Sequence, residues 1–145
     1  VVDTRGPLFV HPGGIVRRTT FHVLALYATL LAGRVADTFT VSDPLVDAEQ
    51  SVAAFDGIAT CNADLGGWRL ALINRDPAQT LACKVVLAGQ SLAGRHPATT
   101  LCGDSPDAYN DLDRPDRIAP ERTHLQFEAG SAALPPHSIT IVEIG

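Results

Sequence analysis

The stretch from Phe21 to Gly33 is the longest nearly uncharged run in the chain, and it is apolar on almost every side. Wound as a helix, Phe21, Val23, Leu24, Leu26, Tyr27, Leu30 and Leu31 do not share one stripe; they cover most of the circumference. A helix of that kind is buried on more than one side. The chain has 145 residues. A chain near this size hides about 68–70% of its unfolded surface, enough for one domain with a genuine core. It has little left to cover a single helix twice. The pattern therefore predicts that part of the cover comes from elsewhere, either from the rest of a longer protein or from a second copy meeting the Phe21–Leu31 helix. Residue 1 is Val and no Met occurs, which points the same way, to a piece of a longer polypeptide.

The run is too short for a bilayer, which takes about 20 apolar residues, and it lies too far inside the chain for a secretory leader. With 46% hydrophobic and 19% charged residues, the composition excludes intrinsic disorder. A net charge of −5 offers no basic face to nucleic acid or to an anionic membrane surface. Cys61, Cys83 and Cys102 contain no C-x-x-C pair. They read as small buried hydrophobes in a reducing, cytoplasmic setting rather than as a disulfide scaffold or a zinc site.

Ahead of the helix, Leu8-Phe9-Val10 reads as a short strand broken by His11-Pro12-Gly13-Gly14. The helix is predicted to begin near Ile15 or Thr19 and to end at about Ala32. Thr19 or Thr20 would cap its start, and Gly33 would take a left-handed position after its end. Beyond Gly33 the pattern changes to short strands: Thr38–Val41, Ser51–Asn62, Trp68–Asn74, Thr80–Leu87, Ala98–Leu101, Thr123–Phe127 and Ser138–Ile144. Gly66-Gly67 joins the second and third as a hairpin, and Asn74-Arg75-Asp76-Pro77 turns between the third and fourth. Cys83, Val85 and Leu87 share one strand face, as do Thr140, Val142 and Ile144. The stretch from Gly103 to Pro120, rich in Asp and Pro, reads as a long ordered loop. So many short strands predict an all-β, antiparallel β-sandwich of jelly-roll type, preceded by one α-helix.

No residue set carries an obvious chemistry. Glycosidases need two carboxyls across a cleft, and Glu49, Glu121, Glu128 and Glu143 show no such setting; Glu128 and Glu143 fit solvent-facing positions. Asp104, Asp107, Asp111, Asp113 and Asp116 lack the Gly and distal Glu of a calcium loop and read as a solvated loop with Asx turns. His22 reads as a hydrogen-bonded core histidine, and His137 as a residue that orients the turn before the last strand. His11, His96 and His124 complete a set without ligand spacing. Nucleophile elbows and phosphate-cradling glycine loops are missing. No metal, cofactor or catalytic residue is expected. Trp68 alone could stack on a sugar, though a place in the core or at a sheet edge suits it better.

Three segments taken in order resemble a known family. They are Gly13–Val23 running into Leu26-Tyr27-Ala28, then Leu70–Asp76, then Leu134–Val142. Ala108-Tyr109-Asn110 and Pro115-Asp116-Arg117-Ile118 lie between the last two. The order is similar to the C-terminal region of α-L-arabinofuranosidases of glycoside hydrolase family 51. That resemblance implies a catalytic (β/α)₈ barrel upstream. Residues 1–33 would be its last strand, loop and helix, and residues 34–145 a C-terminal β-sandwich. It also implies that the acid/base and nucleophile glutamates lie on earlier barrel strands, with no counterpart here. Where some members place a sugar-contacting glutamine after the Gly-Gly, this chain reads Arg17-Arg18-Thr19. The reading favoured is a non-catalytic domain that packs against and stabilises the barrel of a retaining hydrolase of terminal α-L-arabinofuranosyl groups. The alternatives are a carbohydrate-binding module using Trp68, and a self-association domain.

Overall fold

A computed structural model describes residues 6–31, 33–47, 49–62 and 66–145. Chain order runs β1 (Leu8–His11), β2 (Gly14–Arg17), α1 (Thr19–Leu30), β3 (Arg34–Val35), β4 (Pro44–Asp47), β5 (Gln50–Ala53) and β6 (Phe55–Cys61). It continues through β7 (Trp68–Asn74), β8 (Leu81–Lys84), β9 (Val86–Leu87), β10 (Gln90–Ser91), β11 (Gly94–Leu101), β12 (Glu121–Phe127), β13 (Ser131–Leu134) and β14 (Ser138–Ile144). Six strands form one sheet in the order β12-β11-β14-β7-β6-β3, and every pairing in it is antiparallel. The pairs β8–β13, β9–β10 and β4–β5 form smaller sheets, and β1–β2 is a hairpin of its own. The fold is an antiparallel β-sandwich with one helix.

The two inner strands explain how this small chain holds two cores. Strand side chains alternate in direction. On β14, Val142 packs with Leu70, Leu72, Cys83, Ala98, Phe127, Ala132 and Leu134 inside the sandwich. Its neighbour Ile141 points the other way and packs with Ala71, Leu101, Ile118 and Leu26 of α1. Both residues are 0% exposed. Strands buried on both faces read as near-continuous apolar runs, and Leu70–Ile73 and Ile139–Val142 do so apart from Thr140. That buried hydroxyl lies 3.1 Å from the Thr100 hydroxyl on the neighbouring strand, so the polar group is satisfied.

Several expectations are corrected. Residues Gly14–Arg17 are a strand, which rules out a helix start at Ile15. Neither Thr19 nor Thr20 caps α1: the N-cap is Arg18, whose side chain makes no capping bond. The hairpin sets the entry instead, because the Arg18 amide donates to the Pro7 carbonyl at 2.9 Å. Leu31 leaves the helix with extended backbone (φ −80°, ψ 134°), so Gly33 has no left-handed role. The predicted helix end at Ala32 falls outside the described residues. Segment 38–41 forms no ladder; its neighbour Ala59 donates its amide to the Thr38 hydroxyl rather than to a backbone carbonyl. Ser51–Asn62 is broken at Ala54, and Thr80–Leu87 is split in two. The turn at Asn74–Pro77 is present, but it carries the chain to the other layer, where β8 pairs with β13.

Candidate functional site

One group of exposed apolar side chains among the described residues lies on the first hairpin and α1. On α1, Val23, Leu26, Tyr27 and Leu30 recur at helical spacing and sit on the sheet, with Leu31 beyond them. The opposite stripe of Thr20, Leu24 and Ala28 is exposed, and Leu24 is 62% exposed. On the hairpin, Leu8, Val10 and Ile15 are exposed as well, Ile15 at 65%. Leu8 and Val10 alternate on β1, Ile15 is the cross-strand partner of Val10, and the three therefore share one face. The other face holds Val16, 1% exposed, and Phe9, which stacks on His11 and carries the Arg18 guanidinium 5.4 Å from its ring centre. The arrangement is a largely buried inner face and an apolar outer face.

This surface is fixed to the sandwich by the long loop. Asn110 is buried; its Nδ2 donates to the carbonyls of Arg17 and Ile118, both at 2.8 Å, and its Oδ1 accepts from the Ile118 amide at 2.7 Å. Arg117 grips Asp104 from the same loop at 2.7 Å, and its hydrogen bond holds the Asp104 carboxyl below the usual carboxylate range. The Arg114 amide donates to Asp111 and lowers that carboxyl too. The acidic run is thus an Asx-turned, ion-paired loop. Among the described residues no group of three His, Cys, Asp or Glu side chains could hold a metal. We expect Asn110→Ala to cost about 2–3 kcal/mol, since two buried backbone groups of Ile118 and the part-buried Arg17 carbonyl lose their partner. Thermal unfolding with hydrogen exchange over residues 103–120 would show it, and exchange there should quicken before the sheet opens.

His137 is where the turn expectation and the structure meet. Its backbone is left-handed (φ 40°), its amide donates to the Asp76 carbonyl at 2.8 Å, and its ring nitrogens lie 3.0 Å from the Pro77 and Gly103 carbonyl oxygens. His22 differs from expectation. It is 7% exposed, and its Nε2 has no hydrogen-bond partner among the described residues. Burial first, and the Arg17 charge second, push its pKa below 6.5, with Asp116 opposing. The unfolded chain therefore takes up this proton first. Stability from the neutral ring is complete above the unfolded value and is lost as pH falls from about 6.5 through the folded value. Melting temperatures from pH 7.5 to 5 should fall, and His22→Phe should flatten that slope. An equal slope in both proteins would exclude His22 as its source.

The other sequence candidates do not converge. Glu49, Glu121 and Glu128 are exposed, and Glu143 pairs with Arg69 at 3.0 Å. Trp68 is half-buried at the end of β7, Tyr27 packs under α1, and Tyr109 is 60% exposed on the long loop, so these rings occupy three separate elements. Cys61, Cys83 and Cys102 are free thiols; burial pushes Cys83 to about 11 and also raises Cys102. What sequence reasoning missed is that the motif segments pair in space. Asn110 reaches the carbonyl of Arg17, while Asn74 and Asp76 meet Leu134, Pro135 and His137.

A family model described as the α-L-arabinofuranosidase C-terminal domain matches residues 1–138. The chain belongs to that family, the α-L-arabinofuranosidase C-terminal domain. Solved structures agree in fold. The family 51 α-L-arabinofuranosidase AbfB of Bifidobacterium longum is 26% identical, with TM-score 0.81 over 100% of this chain and 29% of its own. The family 51 arabinofuranosidase of Xanthomonas axonopodis pv. citri is 22% identical, with TM-score 0.81 over 96% of this chain and 28% of its own. An α-L-arabinofuranosidase of Thermotoga maritima, solved with arabinose, is 16% identical, with TM-score 0.83 over 99% of this chain and 32% of its own. The chain thus spans about a third of the length of these relatives. A search of curated proteins finds no match. Among the described residues, no helix is long and apolar enough to cross a membrane.

Proposed function

We propose that this domain is the non-catalytic C-terminal part of an α-L-arabinofuranosidase, and that its work is to hold a catalytic barrel of the same polypeptide. In this reading residues 1–33 are the last strand, loop and helix of a (β/α)₈ barrel, and residues 34–145 are the sandwich that seats them. The complete enzyme removes terminal α-L-arabinofuranosyl groups with retention, through two carboxyls supplied upstream. The observation that carries the reading is the two-sided apolar helix, with Leu26 4% exposed against the sheet and Leu24 62% exposed on the far side. The scattered glutamates and the family membership support it.

Leu24→Glu separates this role from a purely internal one. In the isolated chain the substitution lies on the surface and should change stability by no more than about 0.5 kcal/mol. In the complete enzyme it would bury a charge between two bodies, an unpaired placement that costs several kcal/mol. Arabinofuranosidase activity after heating should therefore be lost at a lower temperature. Equal thermal inactivation of variant and parent would defeat the scaffold role, and so would turnover of an aryl arabinofuranoside by residues 1–145 alone.

A further inference from the structure

Phe9 lies on the hairpin face opposite Leu8, Val10 and Ile15, and a cleft opens beside it where the start of α1 meets the long loop. The cleft holds about 630 Å³, with Phe9, Arg18 and Thr19 on one wall and Tyr109, Leu112 and Asp113 on the other. Small-molecule sites span about 300–1,000 Å³. Tyr109 is 60% exposed, and its neighbour Asn110 is buried with its Nδ2 donating to the Arg17 carbonyl at 2.8 Å, so the loop is tied to the hairpin right beside the ring. The Arg18 guanidinium lies 5.4 Å from the Phe9 ring centre and sets donors over an aromatic face. Asp111 turns back onto Arg114 of its own loop, whereas Asp113 is exposed. The charged lining residues are Arg18, Asp111 and Asp113, and this excess of carboxylates turns away phosphate and other anions. Aromatic faces rimmed by donors and acceptors suit a neutral ring that is apolar on one face and hydroxylated at its edge, which describes a sugar.

We propose that this cleft is an outer subsite of the complete enzyme. It takes a sugar of the substrate chain beyond the unit next to the cleaved bond, stacks that ring on Tyr109 and meets its hydroxyls with Arg18 and Asp113. The inference rests on the reading of residues 1–33 as the last strand, loop and helix of the barrel. In a (β/α)₈ barrel each helix begins on the face where its strand ends, and that face carries the reaction. The start of α1 therefore brings the cleft to the rim of the reacting face. The cleft stays open there, because the apolar hairpin face that the barrel would cover is the opposite one. Tyr109 and Asp113 belong to the long loop, so the sandwich takes a part in substrate selection besides its scaffold role. The loop is already fixed by Asn110, and little ordering is needed when the sugar arrives. A short aryl glycoside ends before the cleft, and a longer chain reaches it.

The test uses the complete polypeptide with a nitrophenyl α-L-arabinofuranoside and with oligosaccharides of four or more sugars from arabinan and arabinoxylan, taking whichever the unmodified enzyme cleaves faster. The ratio of kcat/KM for the oligosaccharide to that for the aryl glycoside should fall about 3–10-fold in Tyr109→Ala, as loss of one aromatic stacking contact predicts. The fall should lie in KM for the oligosaccharide. Tyr109→Phe keeps the ring face and should hold the ratio within about twofold. The exposure of Tyr109 leaves the fold undisturbed by either change. A substitution that only loosened the loop would lower both rates together and leave the ratio where it was. An unmoved ratio in Tyr109→Ala, or a fall in Tyr109→Phe as large as in Tyr109→Ala, would each overturn the subsite and leave the scaffold role standing. Failure of the complete polypeptide to turn over the aryl glycoside would instead remove the arabinofuranosidase reading, and this subsite with it.

Discussion

Asn74→Ala should destabilise the chain by about 3–5 kcal/mol, because one buried amide serves four backbone groups. Asn74 is 1% exposed. Its Nδ2 lies 2.8 Å from the Gln79 carbonyl, 2.8 Å from that of Pro135 and 3.2 Å from that of Leu134, and its Oδ1 accepts the Asp76 amide at 2.9 Å. Alanine leaves these buried and part-buried groups without their partner, which costs more than the net gain of making such bonds. The side chain also joins the turn after β7 to the turn before β14. Its removal loosens the two central strands together. Melting should fall by roughly 8–15 °C for a chain of this size. Asn74→Asp should be no milder, since a carboxylate would face three carbonyl oxygens. A drop below about 1 kcal/mol would mean that water replaces the amide without penalty.

Phe127→Ala should be comparably severe, at about 3–5 kcal/mol, by loss of transfer free energy and creation of a cavity. Phe127 is 1% exposed and touches His96 edge-on at a centroid distance of 6.0 Å. Its position sharpens the expectation. β12 is an edge strand that is otherwise mostly exposed, and Leu125 and Phe127 are its hold on the sandwich core. Truncation should release β12 first, so its amides should exchange well before those of β7 and β14. Denaturant unfolding gives the total, and exchange gives the order. Uniform exchange across the sheet would show that β12 is held by its ladder to β11 rather than by this ring.

Legibility in the sequence tracked burial. β7 and β14 were predicted to the residue, because both carry dense apolar runs bounded by turn residues. The predicted strand Ala98–Leu101 covers only the second half of β11. The observed strand begins at Gly94, and residues 94–97 pair with β12 alone, a one-sided position that tolerates proline. Ser131–Leu134 is too short and alanine-rich to signal a strand, yet both of its inward residues are buried. β4 is nearly all exposed, and its Pro44 and the charged turn after it give no periodic signal, while β5 is read only as the start of the predicted Ser51–Asn62. Thr38–Val41 carries strand-like residues without a ladder, because a threonine hydroxyl takes the place of the backbone there. The outward apolar surface was legible as an excess of apolar residues on one helix, but not as a direction.

Local composition and spacing were enough to establish a sandwich, one helix and the principal strands, because alternation, turn residues and an apolar helix act within a few residues of themselves; the family was legible only as a resemblance of ordered motif segments. Contacts distant in sequence decided the rest. Which side of α1 is covered, that β8 leaves β7 for β13, and that Asn110 and Asn74 tie loops across the fold all depend on residues far apart in the chain. Those pairings are set by how two layers pack against one sheet, and no short window of sequence holds both partners.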